Sequence, residues 1–256
     1  MTQFRPSSFQ VLPPVIKNLM IINALFFLAQ NTIPKQYINM DDVFALHTWQ
    51  SPLFQPWQFI THLFMHGGFD HIFFNMFALW MFGSVLENVW GPKRFIKFYI
   101  SCGLGAALCH MIVLYFESRG MLSQYYLINY GSDDYLSKLQ SFIEKYSPIR
   151  QMPLTIDSAT EIVRYHLDEP TIGASGAVFG CLAAFGYLFP NTYIYIYFFL
   201  PVKAKWFVLF YAGYELYSTI KNSAGDDVAH VAHLGGALVG IILVYFWNKT
   251  NRKNFY

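Results

Sequence analysis

Six stretches of this chain are apolar enough and long enough to leave little freedom in how it folds. They cover residues 15–30, 71–90, 95–116, 174–189, 205–220 and 228–247. Crossing a bilayer takes about 20 mostly apolar residues. Inside lipid every backbone N–H and C=O must find a partner within the protein, so only helices and closed barrels span it. Segments of this length predict helices. The fourth stretch has sixteen residues and gives only about 24 Å of helix at 1.5 Å per residue. The expectation is an all-α membrane protein, a bundle of six transmembrane helices, forming one domain over 1–256.

Composition excludes the soluble alternative. The chain is 55% hydrophobic and 12% charged, against about 25% charged for an ordinary soluble domain. The net charge of +2 carries no basic run that would hold a nucleic acid. Cys102, Cys109 and Cys181 all lie in apolar stretches and read as small hydrophobes. The first residues are polar and no small-x-small site follows the first apolar run, so a cleaved signal peptide is not expected.

Lysines and arginines of the short connections set the orientation. Arg5, Lys17, Lys93, Arg94, Lys97, Lys203, Lys205, Lys249, Arg252 and Lys253 share one side if both termini are cytoplasmic. That is the orientation expected, with a bacterial plasma membrane as the location. The polar segment 117–172 then forms a long outer loop, with residues 135–146 as a candidate amphipathic helix. The stretch between Pro190 and Pro201 is read as interfacial or as an extension of the fifth helix.

Two polar groups sit where packing alone would not put them. Ser175 lies in Gly173-Ala174-Ser175-Gly176, at the head of the fourth stretch, and His233 lies inside the sixth. Polar side chains in membrane segments read as functional by default, and a Ser with a His is the smallest set that makes an activated oxygen nucleophile. The competing reading is that small residues and serine mark helix contacts and that a buried His satisfies a carbonyl. Gly236 and Gly240 share a helix face with His233, and Gly176 and Gly180 follow Ser175, so two glycine-lined helices can meet. His71 and Asn75 share a face at the start of the second span and offer donors for a developing oxyanion. His62 and His66 are expected to be structural, bonding loop carbonyls. No His-Glu-x-x-His occurs, and Glu87 and Glu215 are the acids noted within the spans. No metal or cofactor is expected, although the span histidines keep a haem-binding or transport bundle open as an alternative.

At these residues the chain resembles the rhomboid family of intramembrane serine proteases. The resemblance rests on Gly-x-Ser-Gly at 173–176, Ala-His-x-x-Gly-x-x-x-Gly at 232–240 and His-x-x-x-Asn at 71–75, in that order. It covers about 15–117 and 170–248. It implies a six-helix bundle with a Ser175–His233 dyad and no acid. It further implies an oxyanion hole of His71, Asn75 and the Ser175 N–H, and Phe179 packed on the imidazole. Substrates would be single-span membrane proteins in the lipid bilayer, cut near an unwound end, with the aromatic fifth helix as a lateral gate. An inactive, client-binding relative is the second alternative. Two positions bear on the pattern. Gln58 follows Trp57 where the family often has Arg, which leaves the anchoring of the first outer loop open. Glu87 matches an acidic family position and is read as structural.

Overall fold

A computed structural model of the chain describes residues 9–128, 130–149, 152–196, 199–221 and 230–250. Arg5, Arg252, Lys253 and the expected start of the sixth span at 228 lie outside the described residues. The protein is a helical membrane bundle, and each expected span is helical. The first is α1 (Pro14–Thr32). Two short helices, α2 (Met40–Phe44) and α3 (Gln58–Thr61), lie in the connection that follows. The second span is α4 (Phe69–Ala78), a π-turn at Leu79–Gly83 and α5 (Ser84–Trp90). The third is α6 (Pro92–Tyr126), the longest helix at 35 residues.

Among the described residues, Pro14–Thr32, Phe69–Trp90, Pro92–Tyr126 and His230–Asn248 are long and apolar enough to cross a membrane. The other two expected spans are shorter or more polar: α9 (Ser175–Leu188) has 14 residues and α10 (Ala204–Lys221) has 18. Helix α9 is short because it is central. Ten of its residues are buried, and it packs against α6 and against α11 (His230–Thr250). Its neighbours, not lipid, cover its apolar sides. The core between them includes Leu63, Phe95, Tyr99, Cys102, Val178 and Phe185.

Glu87 answers a local need. Its two carboxylate oxygens accept the N–H groups of Val15 and Ile16, each at 2.9 Å. These are first-turn donors of α1 with no partner inside their own helix, and an anion there also suits the helix dipole.

Two regions depart from the sequence expectation. Segment 117–172 is helical rather than a plain loop. Helix α6 runs on to Tyr126, α7 spans Tyr135–Tyr146 as the spacing predicts, and α8 spans Ile156–Asp168. The last was not anticipated, although its signals are present. Thr155 accepts the Ser158 N–H at 3.2 Å as an N-cap, and Ala159, Ile162, Val163 and Leu167 make one apolar face. That face packs with Met121, Leu139 and Phe142 into a separate small core. The stretch after Pro190 is an antiparallel hairpin, β1 (Tyr193–Ile196) and β2 (Leu200–Lys203), with Ile194 opposite Val202. Pro201 cannot donate to a helix or a ladder; it sits on this two-stranded edge. Within an otherwise all-α protein the hairpin leads into α10, whose Ala204 N–H donates to Thr192 O at 2.8 Å.

Candidate active site

Glycines decide how close α9 and α11 come. A Cβ on Gly236 would strike the backbone of Gly176, carbonyl included, and one on Gly240 would lie 2.8 Å from the Gly180 carbonyl. Only bare backbone fits at this crossing. It turns the head of α9 and the first turns of α11 toward each other. Ser175 Oγ lies 2.8 Å from His233 Nε2. The phenyl ring of Phe179, one turn along α9, stacks on the imidazole, with centroids 4.2 Å apart and planes 5° apart. Tyr211 of α10 packs behind Phe179 at 4.9 Å.

The approach to Ser175 is held from the other side. Gly173 has φ +125°, a region L side chains rarely adopt. A Cβ there would lie 2.9 Å from His71 Nε2 and 3.5 Å from Ser175 Oγ. The Gly173 N–H donates to His62 O at 2.9 Å, which pins this turn to the connection between α1 and α4. His71 and Ser175 therefore face one small space. His71 Nδ1 accepts the Gly67 N–H at 3.2 Å, so the ring proton belongs on Nε2, the nitrogen facing that space. Asn75 is buried, and its Nδ2 donates to His71 O at 2.9 Å. That uses one of its two amide hydrogens.

Gln58 anchors the connection between α1 and α4. It is fully buried. Its Oε1 accepts the N–H groups of His47 and Gln55, and its Nε2 donates to Asp42 O at 3.1 Å and Leu53 O at 3.0 Å. His62 bonds a backbone carbonyl, but one of helix α3 rather than of the loop expected: its Nδ1 lies 2.7 Å from Gln58 O. Burial lowers its pKa from 6.5 to about 4. His66 differs from expectation: neither ring nitrogen has a hydrogen-bond partner among the described residues, and the ring packs edge-on against His71. Burial, and then the charge of His71, also lower its pKa to about 4.

Sequence reasoning passed over one group at this site. Glu215 of α10 is 2% exposed, and its Oε2 lies 3.0 Å from His233 Nδ1 and 2.6 Å from His230 Nδ1. An acid within an apolar span was the available signal; fifteen residues of separation hid its relation to His230. Glu215, His230 and His233 are all buried, and one ligand atom from each lies within 4.8 Å of the others, a set able to hold a metal ion.

These features define a class: a helical membrane protein with a hydroxyl and an imidazole in contact at a buried helix head. A family model described as Rhomboid domain matches residues 53–127 and 145–249, and the chain belongs to the rhomboid family. Similar proteins include RHOMBOID-like protein 12, mitochondrial, of Arabidopsis thaliana, 25% identical across 94% of this chain and 60% of that protein. Rhomboid protein 1, mitochondrial, of Saccharomyces cerevisiae is 27% identical across 76% of this chain and 42% of its own length. Presenilin-associated rhomboid-like protein, mitochondrial, of Homo sapiens is 27% identical across 75% and 38%. The chain thus spans from under two fifths to three fifths of these relatives' lengths.

Proposed function

We propose that the chain is an intramembrane serine endopeptidase that cuts transmembrane segments of membrane proteins. The observation that carries this reading is the 2.8 Å contact between Ser175 Oγ and His233 Nε2 at the head of α9. Ser175 is the nucleophile and His233 the general base. As Oγ adds to the scissile carbonyl carbon, its proton passes to Nε2 and the carbonyl electron pair moves onto oxygen. The His71 Nε2–H, the free amide hydrogen of Asn75 and the Ser175 N–H are the donors for that oxyanion. First-turn N–H groups of a helix have no partner within it. Collapse expels the amine, which takes the proton from Nε2. Water then repeats the sequence on the acyl-serine, releasing the acid and restoring Ser175. No cofactor is called on.

Partners are single-span membrane proteins presented within the bilayer. Helix α10 is the entry side. It buries only Ala204, Glu215 and Ser218 and presents Trp206, Phe210 and Tyr214 outward. A helix held by so few buried residues opens at low cost. The basic clusters at 93–97 and 203–205 and both termini are assigned to one side, and 117–172 to the other. In support, Ser51 Oγ donates to Asp168 Oδ1 at 2.6 Å, and Leu46 pairs with Thr171, so the first outer loop and the end of this segment share a side. The mitochondrial names of the relatives argue against the bacterial plasma membrane expected from the sequence, and a mitochondrial membrane takes its place in this proposal.

The test is incubation of purified protein with a panel of single-span substrates. Wild type should cleave at least one of them and Ser175→Ala none. Cleavage by Ser175→Ala at the wild-type rate would refute the reading, and binding of clients without cleavage would replace it with the client-binding alternative.

A further inference from the structure

We infer that Glu215 completes a Ser175–His233–Glu215 triad, fixing the imidazole and stabilising its cationic form, with His230 holding the acid in place. This rests on the protease reading above and departs from the acid-free dyad that the family resemblance implies.

The hydrogen bonds set the arrangement. In the resting enzyme the Ser175 hydroxyl donates to His233 Nε2 at 2.8 Å, so the ring proton lies on Nδ1. Nδ1–H then donates to Glu215 Oε2 at 3.0 Å. His230 Nδ1 donates to the same oxygen at 2.6 Å. Two imidazole donors on one oxygen suit a carboxylate rather than a carboxylic acid. The acid fixes both the tautomer and the ring direction that the nucleophile needs.

The electrostatic case is stronger than the geometric one. Accepting the serine proton makes His233, a buried side chain, a cation. A carboxylate in contact stabilises that cation far more there than in water. It acts on charge that arises along the reaction path, so it raises turnover rather than binding. Burying an acid among apolar residues is costly unless it is paired. Here the pairing falls on the ring that touches the nucleophile. The purely structural alternative is that Glu215 only ties α10 to α11. Other titratable groups also face this cluster: His71 and His110 toward His233, and Tyr211 toward Glu215, with the Tyr214 ring edge-on to His230.

The experiment uses the full chain in detergent or liposomes with a cleaved single-span substrate. It compares wild type, Glu215→Gln and Glu215→Asp. The readouts are kcat, KM, the rate of fluorophosphonate labelling of Ser175 and thermal unfolding. Glu215→Gln should lower kcat by about 10,000-fold, the loss seen when a triad acid is neutralised, with KM little changed and labelling slowed in parallel. Glu215→Asp keeps the charge over a longer reach. It should recover much of kcat, and it decides the matter if Glu215→Gln does not fold. Wild-type kcat per folded molecule in Glu215→Gln, with only the melting temperature lowered, would overturn the triad and leave the Ser175–His233 reading intact. An Asp variant no better than Gln would overturn it too. A wild-type enzyme that neither cleaves nor labels would sink both.

Discussion

Phe179 lies flat against His233, one turn below Ser175 on the same helix, at a centroid distance of 4.2 Å. A ring face both blocks rotation of the imidazole and favours its positive form. The contact is weaker than a charge. Stacked aromatic pairs are worth about 0.5–1.5 kcal/mol, which converts to roughly a 2- to 13-fold change in rate. Phe179→Leu should therefore lower kcat by roughly that factor, well short of the loss expected at Glu215. A steady-state comparison checks it, and a loss beyond 100-fold would mean the ring does more than orient.

Asn75 has one amide hydrogen on His71 O and one left over. Asn75→Ala should lower turnover about 10- to 1000-fold, in line with removing one oxyanion donor, and change KM much less. His71 and the Ser175 N–H cover part of the loss, which favours the low end. Turnover per folded molecule and melting temperature are measured together. Normal turnover with lower stability would remove Asn75 from the site.

Gly236 meets the Gly176 backbone with no room for a methyl group. Here the obstacle is main chain rather than a flexible side chain, so Gly236→Ala cannot be absorbed by a rotamer change. It should cost about 3 kcal/mol or more, the upper end for overpacking, and lose cleavage as Ser175 and His233 part. Thermal unfolding in detergent checks the first expectation and fluorophosphonate labelling the second.

The connection between α1 and α4 should make the protein acid-sensitive. His62 and His66 have pKa values lowered to about 4, so the fold favours their neutral forms. The unfolded chain takes up protons near 6.5. Their contribution is therefore fully present above pH 6.5 and is lost progressively between pH 6.5 and 4. Each group contributes up to about 3 kcal/mol across that window. Melting temperature should fall as pH drops from 7 to 4.5, and His62→Gln should flatten that dependence while lowering stability at pH 7.

Much of this architecture was legible because lipid restricts the choices. The apolar runs predicted α1, α9 and α10 closely, while α6 runs ten residues past its expected end, and glycine spacing predicted the α9–α11 crossing. Ser175, His233 and Phe179 come together as the family resemblance implied. What escaped was whatever depended on three-dimensional neighbours. Glu215 stood out only as an acid in a span, and nothing in its local sequence links it to His233. Gln58 read as a departure from the family's Arg, yet its amide bonds four backbone groups of the loop. The cap and apolar face of α8 were readable but sat inside a segment whose polarity suggested a loop.

The central claim is that Ser175 is an activated nucleophile. A fluorophosphonate probe reacts with such a serine whatever the natural substrate is, so the most direct measurement is its site of attachment by peptide mass spectrometry. The account predicts a single adduct on Ser175, abolished in Ser175→Ala and His233→Ala alike, in protein that still folds. An adduct elsewhere, labelling that survives His233→Ala, or no adduct at all on folded wild-type protein would contradict it.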